Sequence, residues 1–210
     1  MKDYYALTRK RFQGEEVADG YERRRFGTLK GKFLKYREEK IVKHILDGIG
    51  RGMKIVDVPC GTGRFSLVLK EYAGFLAGAD ISKAMLQHSE NKGQYSELHH
   101  CEIEHMPFGD NYFDVVVCFR LIHHLPTEDR LKAFAEIWRV TNKHFIFSFN
   151  SKNSVAYVVN NLILKKDFYS ETIQNMRAEL AKFFTIKATF RVLPLVAGET
   201  IVCCEKKTSR

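Results

Sequence analysis

The sequence predicts an α/β fold, a doubly wound and mainly parallel sheet. Short apolar, β-branched runs alternate with segments of helical period, and the first run ends in a glycine turn, VDVPCGTGRF, that opens directly into a helix. Near the end of the chain two extended runs are joined only by LPLVAGE. That connection is too short for a helical crossover, so these two strands are expected to be antiparallel neighbours.

Taken in order, residues 36–47 form an amphipathic pattern closed by Gly48, which predicts a helix, and residues 53–58 follow as the first strand. Apolar residues at helical spacing over 65–72 make the next helix. The second strand is expected over 75–79. Ser82 is suited to cap a helix running to Glu90, and residues 96–101 and 114–119 (DVVVCF) read as the third and fourth strands. Thr127 begins a helix that reaches Val140, and 144–149 is a fifth strand. Ser170 is expected to cap a further helix. Residues 184–193 and 200–205 complete the set of strands.

At 210 residues with 45% hydrophobic composition, the chain is long enough for one substantial core, and a single domain is expected over 1–210, its first forty residues a helical cap or lid. Cys60, Cys101, Cys118, Cys203 and Cys204 include no CxxC pair, which argues against a disulfide framework or zinc knuckle and fits a reducing cytoplasm. The first residues, MKDYYALTRKRFQGEE, lack the apolar centre of a signal peptide, and no apolar run has transmembrane length, so a cytoplasmic protein without integral membrane association is expected. The net charge is +9, with much of the excess in YERRRFGTLKGKFLKYREEK. Such a segment suits nucleic acid, an anionic headgroup or an acidic metabolite, or is simply a solvated helix face.

The glycine turn carries the chemistry. Gly61 and Gly63 can adopt positive φ and admit a ligand to the backbone, and the amides opening the next helix favour an electron-rich group, although a plain tight turn has the same look. Asp80 separates these readings. It ends the second strand in GADIS, a position from which a carboxylate accepts hydrogen bonds from both hydroxyls of a ribose. The turn has neither the G-x-G-x-x-G spacing of a dinucleotide site nor the lysine of a P-loop, so pyrophosphate is disfavoured.

DVPCGTGRF, GADISKAML, CEIEHMPFGDNYFDVVVCF and RLIHHL together resemble, in order and spacing, the motifs of class I S-adenosylmethionine-dependent methyltransferases, especially the small-molecule group known as methyltransferase type 11. The resemblance covers residues 41–149 and, more weakly, the closing strands. It implies a Rossmann-like seven-stranded sheet with helices on both faces and an antiparallel last strand. It also implies S-adenosylmethionine as cofactor. Gly61 and Gly63 would lie beside its methionine portion and ribose, Asp80 on the ribose hydroxyls, and Ile81 against adenine. Glu102 would accept from the adenine amino group, the Ile103 amide would meet a ring nitrogen, and Phe119 would offer its backbone oxygen to the cofactor's amino group. Asp57 would border the same site or anchor the turn amides, and Pro59 stands where the family more often has glycine.

Transfer from a sulfonium asks chiefly for positioning, with a base only where the acceptor must lose a proton. His123, first of the pair in RLIHHL, is the candidate base by its place in the family pattern. No metal is expected, since His99, His100 and His105 flank the third strand without a ligand pattern. The absence of an Asn/Asp-Pro-Pro-Tyr/Phe segment after the fourth strand turns the expectation toward a small-molecule or lipid-like acceptor. An RNA methyltransferase and a noncatalytic cofactor-binding protein are the alternatives. Tyr21 and Arg25, with Tyr4, Tyr5 and Phe26, combine aromatic surface and positive charge suited to a planar or carboxylate-bearing acceptor.

Overall fold

The computed structural model describes Gly20 and residues 27–151, 172–193 and 198–208. Its elements are α1 (Leu29–Ile49), β1 (Met53–Asp57), α2 (Ser66–Lys70), β2 (Ala73–Asp80), α3 (Lys83–Glu90), β3 (Glu97–His100), β4 (Phe113–Cys118), α4 (Thr127–Val140), β5 (Thr141–Asn150), α5 (Ile173–Leu180), β6 (Phe184–Arg191) and β7 (Glu199–Lys206). A 3-10 turn at Ile122–His124 leads into α4.

The seven strands make one sheet in the order β3-β2-β1-β4-β5-β7-β6. β1 runs parallel to β2 and β4, and β7 is antiparallel to both β5 and β6. The expected class is therefore the observed one, including the reversed final strand. Strand order turns back beside β1, between β2 and β4, which is where an open α/β sheet binds ligands at its carboxyl edge.

Alternation along the strands builds two cores. Val56, Val116, Phe145 and Phe147 face α4 and α5, while Ile55, Val115, Val117 and Ile146 face α1 and α2. Both faces are apolar because both are covered. On one side Val42 and Leu46 of α1 are fully buried, each contributing roughly 1.5–3 kcal/mol relative to exposure. On the other, Phe145 and Phe147 stack at 4.9 Å and Phe184 closes on Phe145 at 5.1 Å.

Several boundaries differ from those the sequence suggests. α1 starts at Leu29, capped by the Thr28 hydroxyl accepting from the Gly31 N–H at 3.1 Å, and it runs unbroken across residues 40 and 41. It also passes through Gly48 and stops at Gly50, whose φ of +126° no helix can continue. α5 is capped by the Thr172 side chain, accepting from the Asn175 N–H; Ser170 lies outside the described residues. Ser82 caps α3 as expected, accepting from the Met85 N–H at 3.3 Å.

Candidate active site

The cavity lies over the carboxyl ends of β1, β2 and β4. Its floor is the turn after β1. The Cys60 N–H donates to Ala79 O at 2.9 Å, and the Gly61 N–H donates to Asp80 Oδ2 at 2.8 Å, so the turn is tied to the end of β2. Ser89 of α3 adds a hydroxyl bond to Gly61 O at 2.8 Å.

The two glycines do different work. Gly61 has φ +55° and open space where a side chain would begin, so it keeps that part of the cavity clear. Gly63, at φ +71°, does not line the cavity: a Cβ there would meet Ser89 Oγ at 3.1 Å and Tyr95 Cε2 at 3.3 Å. What the structure shows for Gly63 is close packing against α3 and the segment that follows it.

Asp80 is 6% exposed and held by two backbone donors, Gly61 N–H on Oδ2 and Ser82 N–H on Oδ1, each at 2.8 Å. A carboxylate has about four acceptor sites, and beside these two donors the Ile81 N–H also acts on Asp80. Burial pushes this carboxyl up to about 6, while the Ser82 and Gly61 donors pull the other way.

Asp57, also buried, accepts the Tyr95 hydroxyl on Oδ2 at 2.8 Å rather than bonding the turn amides. Burial is the first cause that lifts it to about 7, and the nearby Asp80 charge adds to the rise. Tyr95 is itself pushed up by burial and so remains a donor. Its ring fits between Gly63 and Gly78, where a Cβ on Gly78 would stand 3.0 Å from the ring and 2.6 Å from Leu98. Burial likewise pushes the Cys60 thiol well up, which makes it a poor nucleophile.

Of the other residues singled out in the sequence, Pro59, Ile81, Glu102, Ile103 and Phe119 all line the cavity. Phe119 packs against Phe65 with ring centroids 4.3 Å apart and the ring planes tilted by 36°. His123 does not line it. It is 3% exposed, and the neighbouring His124, with ring centroids 4.2 Å apart, is the histidine that reaches the cavity. Tyr21 and Arg25, like Tyr4, Tyr5 and Phe26, lie outside the described residues.

Arg64 and Arg120 complete the cavity wall, and neither was legible in the sequence. Both pair with Glu38, a fully buried carboxylate on the inner face of α1, and Arg120 also pairs with Glu199 of β7 at 2.8 Å. Arg120 holds the left-handed backbone conformation, φ +62°, with its N–H on the Ser148 hydroxyl at 3.0 Å. Two arginines and two glutamates thus join α1, the β1 turn, the segment after β4, and β7. Only a sequence signal such as an isolated glutamate on an otherwise apolar helix face could have pointed to Glu38.

The donor set fits the cofactor that the motifs suggest. Two buried, mutually repelling carboxylates are costly in an apolar cleft, and a ligand bearing cationic groups and a diol would offset that cost. Ile81, Met85 and Ile103 give the cavity apolar surface for a flat ring.

Residues 56–149 match the family model described as a methyltransferase domain. A ubiquinone biosynthesis O-methyltransferase of Coxiella burnetii is 28% identical over 130 residues, covering 60% of this chain and 52% of the relative. A demethylmenaquinone methyltransferase of Listeria monocytogenes is 28% identical over 134 residues, covering 60% of this chain and 54% of the relative. The chain spans about half the length of the curated relatives it matches. In overall fold it is similar to the magnesium protoporphyrin IX methyltransferase of Synechocystis PCC 6803 with bound SAH, with a TM-score of 0.79 at 19% identity over 96% of this chain and 99% of that one. Residues 56–149 thus match a methyltransferase domain, and the sheet order, the glycine turn and the Asp80 clamp agree with the class I S-adenosylmethionine-dependent methyltransferases that the chain resembles.

Proposed function

We propose that this chain binds S-adenosylmethionine in the cavity and transfers its methyl group to a small-molecule or lipid-like acceptor. The observation that carries the reading is the Gly61–Asp80 clamp, which fixes a buried carboxylate at the carboxyl edge of the sheet beside an open turn. When bound, the cofactor supplies an electrophilic methyl carbon. The rest is done by the chain. Asp80 accepts from the ribose hydroxyls, and Asp57, steadied by Tyr95, offers negative charge to the methionine portion. Ile81 and Ile103 flank the base, with Glu102 at the edge of the cavity as acceptor for its amino group. Phe65, Phe119 and Leu121 narrow the wall and exclude water, which strengthens the polar contacts inside.

His124 is the imidazole placed to take a proton from an acceptor hydroxyl or amine, in preference to His123. The relatives named for quinone and porphyrin methylation support an acceptor of small-molecule size. The test is transfer of labelled methyl from S-adenosylmethionine into a cell extract divided into small-molecule, lipid, RNA and protein fractions. Label in the small-molecule or lipid fraction is expected. Label confined to RNA or protein would overturn the acceptor class, and tight cofactor binding without any transfer would identify a noncatalytic binder.

A further inference from the structure

The first three turns of α1 carry an outward face that nothing in the cavity uses. Leu29, Phe33 and Tyr36 follow one another at i, i+4 and i+7, on one side of the helix. They are 87%, 52% and 53% exposed, among the most exposed large hydrophobic residues described. Lysines surround them: Lys30, Lys32 and Lys40 are exposed, Lys35 is half-buried, and the Lys40 ammonium lies 5.6 Å from the centroid of the Tyr36 ring.

An apolar stripe rimmed by lysines is the pattern of a helix that lies in the plane of a membrane surface, with rings and leucine among the acyl chains and ammonium groups at the anionic headgroups. No described helix is long and apolar enough to cross a membrane, which leaves surface contact rather than spanning. The opposite side of the same helix is the inner face, where Glu38 meets Arg64 and Arg120 of the cavity wall. Toward its end the outward side changes character, with Asp47 exposed and His44 packed edge-on against Phe190.

We propose that the outward face of residues 29–40 is a docking surface for an anionic lipid bilayer, seating the protein with its cavity wall one helix thickness from the lipid. Charge complementarity selects the partner: the helix offers Lys30, Lys32 and Lys40 around the apolar stripe, Glu38 is turned inward and paired, and the half-buried Glu39 is offset by Lys35 at 3.8 Å. The contact needs neither cofactor nor turnover, so it stands or falls independently of the acceptor.

The experiment is co-sedimentation of the full chain with vesicles of phosphatidylcholine alone and of phosphatidylcholine mixed equally with phosphatidylglycerol. Binding is expected to the mixed vesicles, falling as salt is raised. The triple variant L29S/F33S/Y36S should bind them at least about tenfold more weakly, with an unchanged thermal melt and unchanged cofactor affinity. The charge variant K30E/K32E should also lose binding to the mixed vesicles while keeping its fold. Failure of the intact chain to sediment with anionic vesicles would overturn the proposal. So would equal binding by both variants, or a dimer in sedimentation velocity that the triple variant abolishes while vesicles go unbound.

Discussion

Asp80 receives two backbone N–H groups at 2.8 Å, and that geometry sets the first prediction. Asp80→Asn should lower cofactor affinity by roughly tenfold to a hundredfold, since charge-assisted hydrogen bonds are worth about 1.5–3 kcal/mol. Isothermal titration on the folded variant measures it, and unchanged affinity would remove the ribose role. Asp57 predicts a pH effect of definite sign. Burial lifts its carboxyl from 3.8 to about 7, so between those values the folded chain keeps a proton that the unfolded chain has lost. The stability this lends is full below about pH 4 and is lost as pH rises through about 7. Relative to wild type, Asp57→Asn should therefore gain about 2–4 kcal/mol between pH 4 and pH 8, measured by urea unfolding at each pH. A constant difference would show that the carboxyl is not raised. Asp80 was legible because a carboxylate at the end of the second strand has a chemical purpose visible in sequence. Tyr95, Arg120 and Glu38 were not, because their roles arise from tertiary proximity: 82 positions separate Arg120 from Glu38.

A buried cation links helices α4 and α5. Arg130 is fully buried and bonds Glu179 through Nε at 2.5 Å and Nη2 at 2.6 Å, while Nη1 donates to Leu125 O at 3.0 Å. Removing it strands a carboxylate near the core. Arg130→Ala should cost about 3 kcal/mol or more, read as a lower denaturant midpoint, and a loss under about 1 kcal/mol would show that the pair carries little. At this scale the sequence was informative where local chemistry agreed with the fold. DVVVCF became β4, and the capping and breaking residues placed α3 and α4 closely. It was less informative for α1, whose first turns mix lysines with outward apolar residues and so lack the one-sided pattern of a buried helix. Gly48 misled for a related reason: a glycine inside a helix and a glycine beyond its end look alike in sequence, and only the positive φ at Gly50 marks the stop.

At the scale of the whole molecule, α1 is tied to the cavity wall through the Glu38 pairs. Deleting residues 1–26 leaves the Thr28 cap in place. It should slow transfer about tenfold or more while weakening cofactor binding less, with turnover and titration measured on the same preparation. Equal losses in both would assign the segment to the cofactor rather than to the acceptor. The sheet order bears on synthesis as well. β7 follows β6 in the chain yet lies between β5 and β6, pairing with residues 144–150 on one side and 184–191 on the other. A nascent chain emerging amino end first therefore exposes the inner edge of β5 until β6 and β7 arrive together, so the sheet closes late, and a chain truncated ahead of Glu199 would leave β5 an unpaired edge open to neighbouring chains.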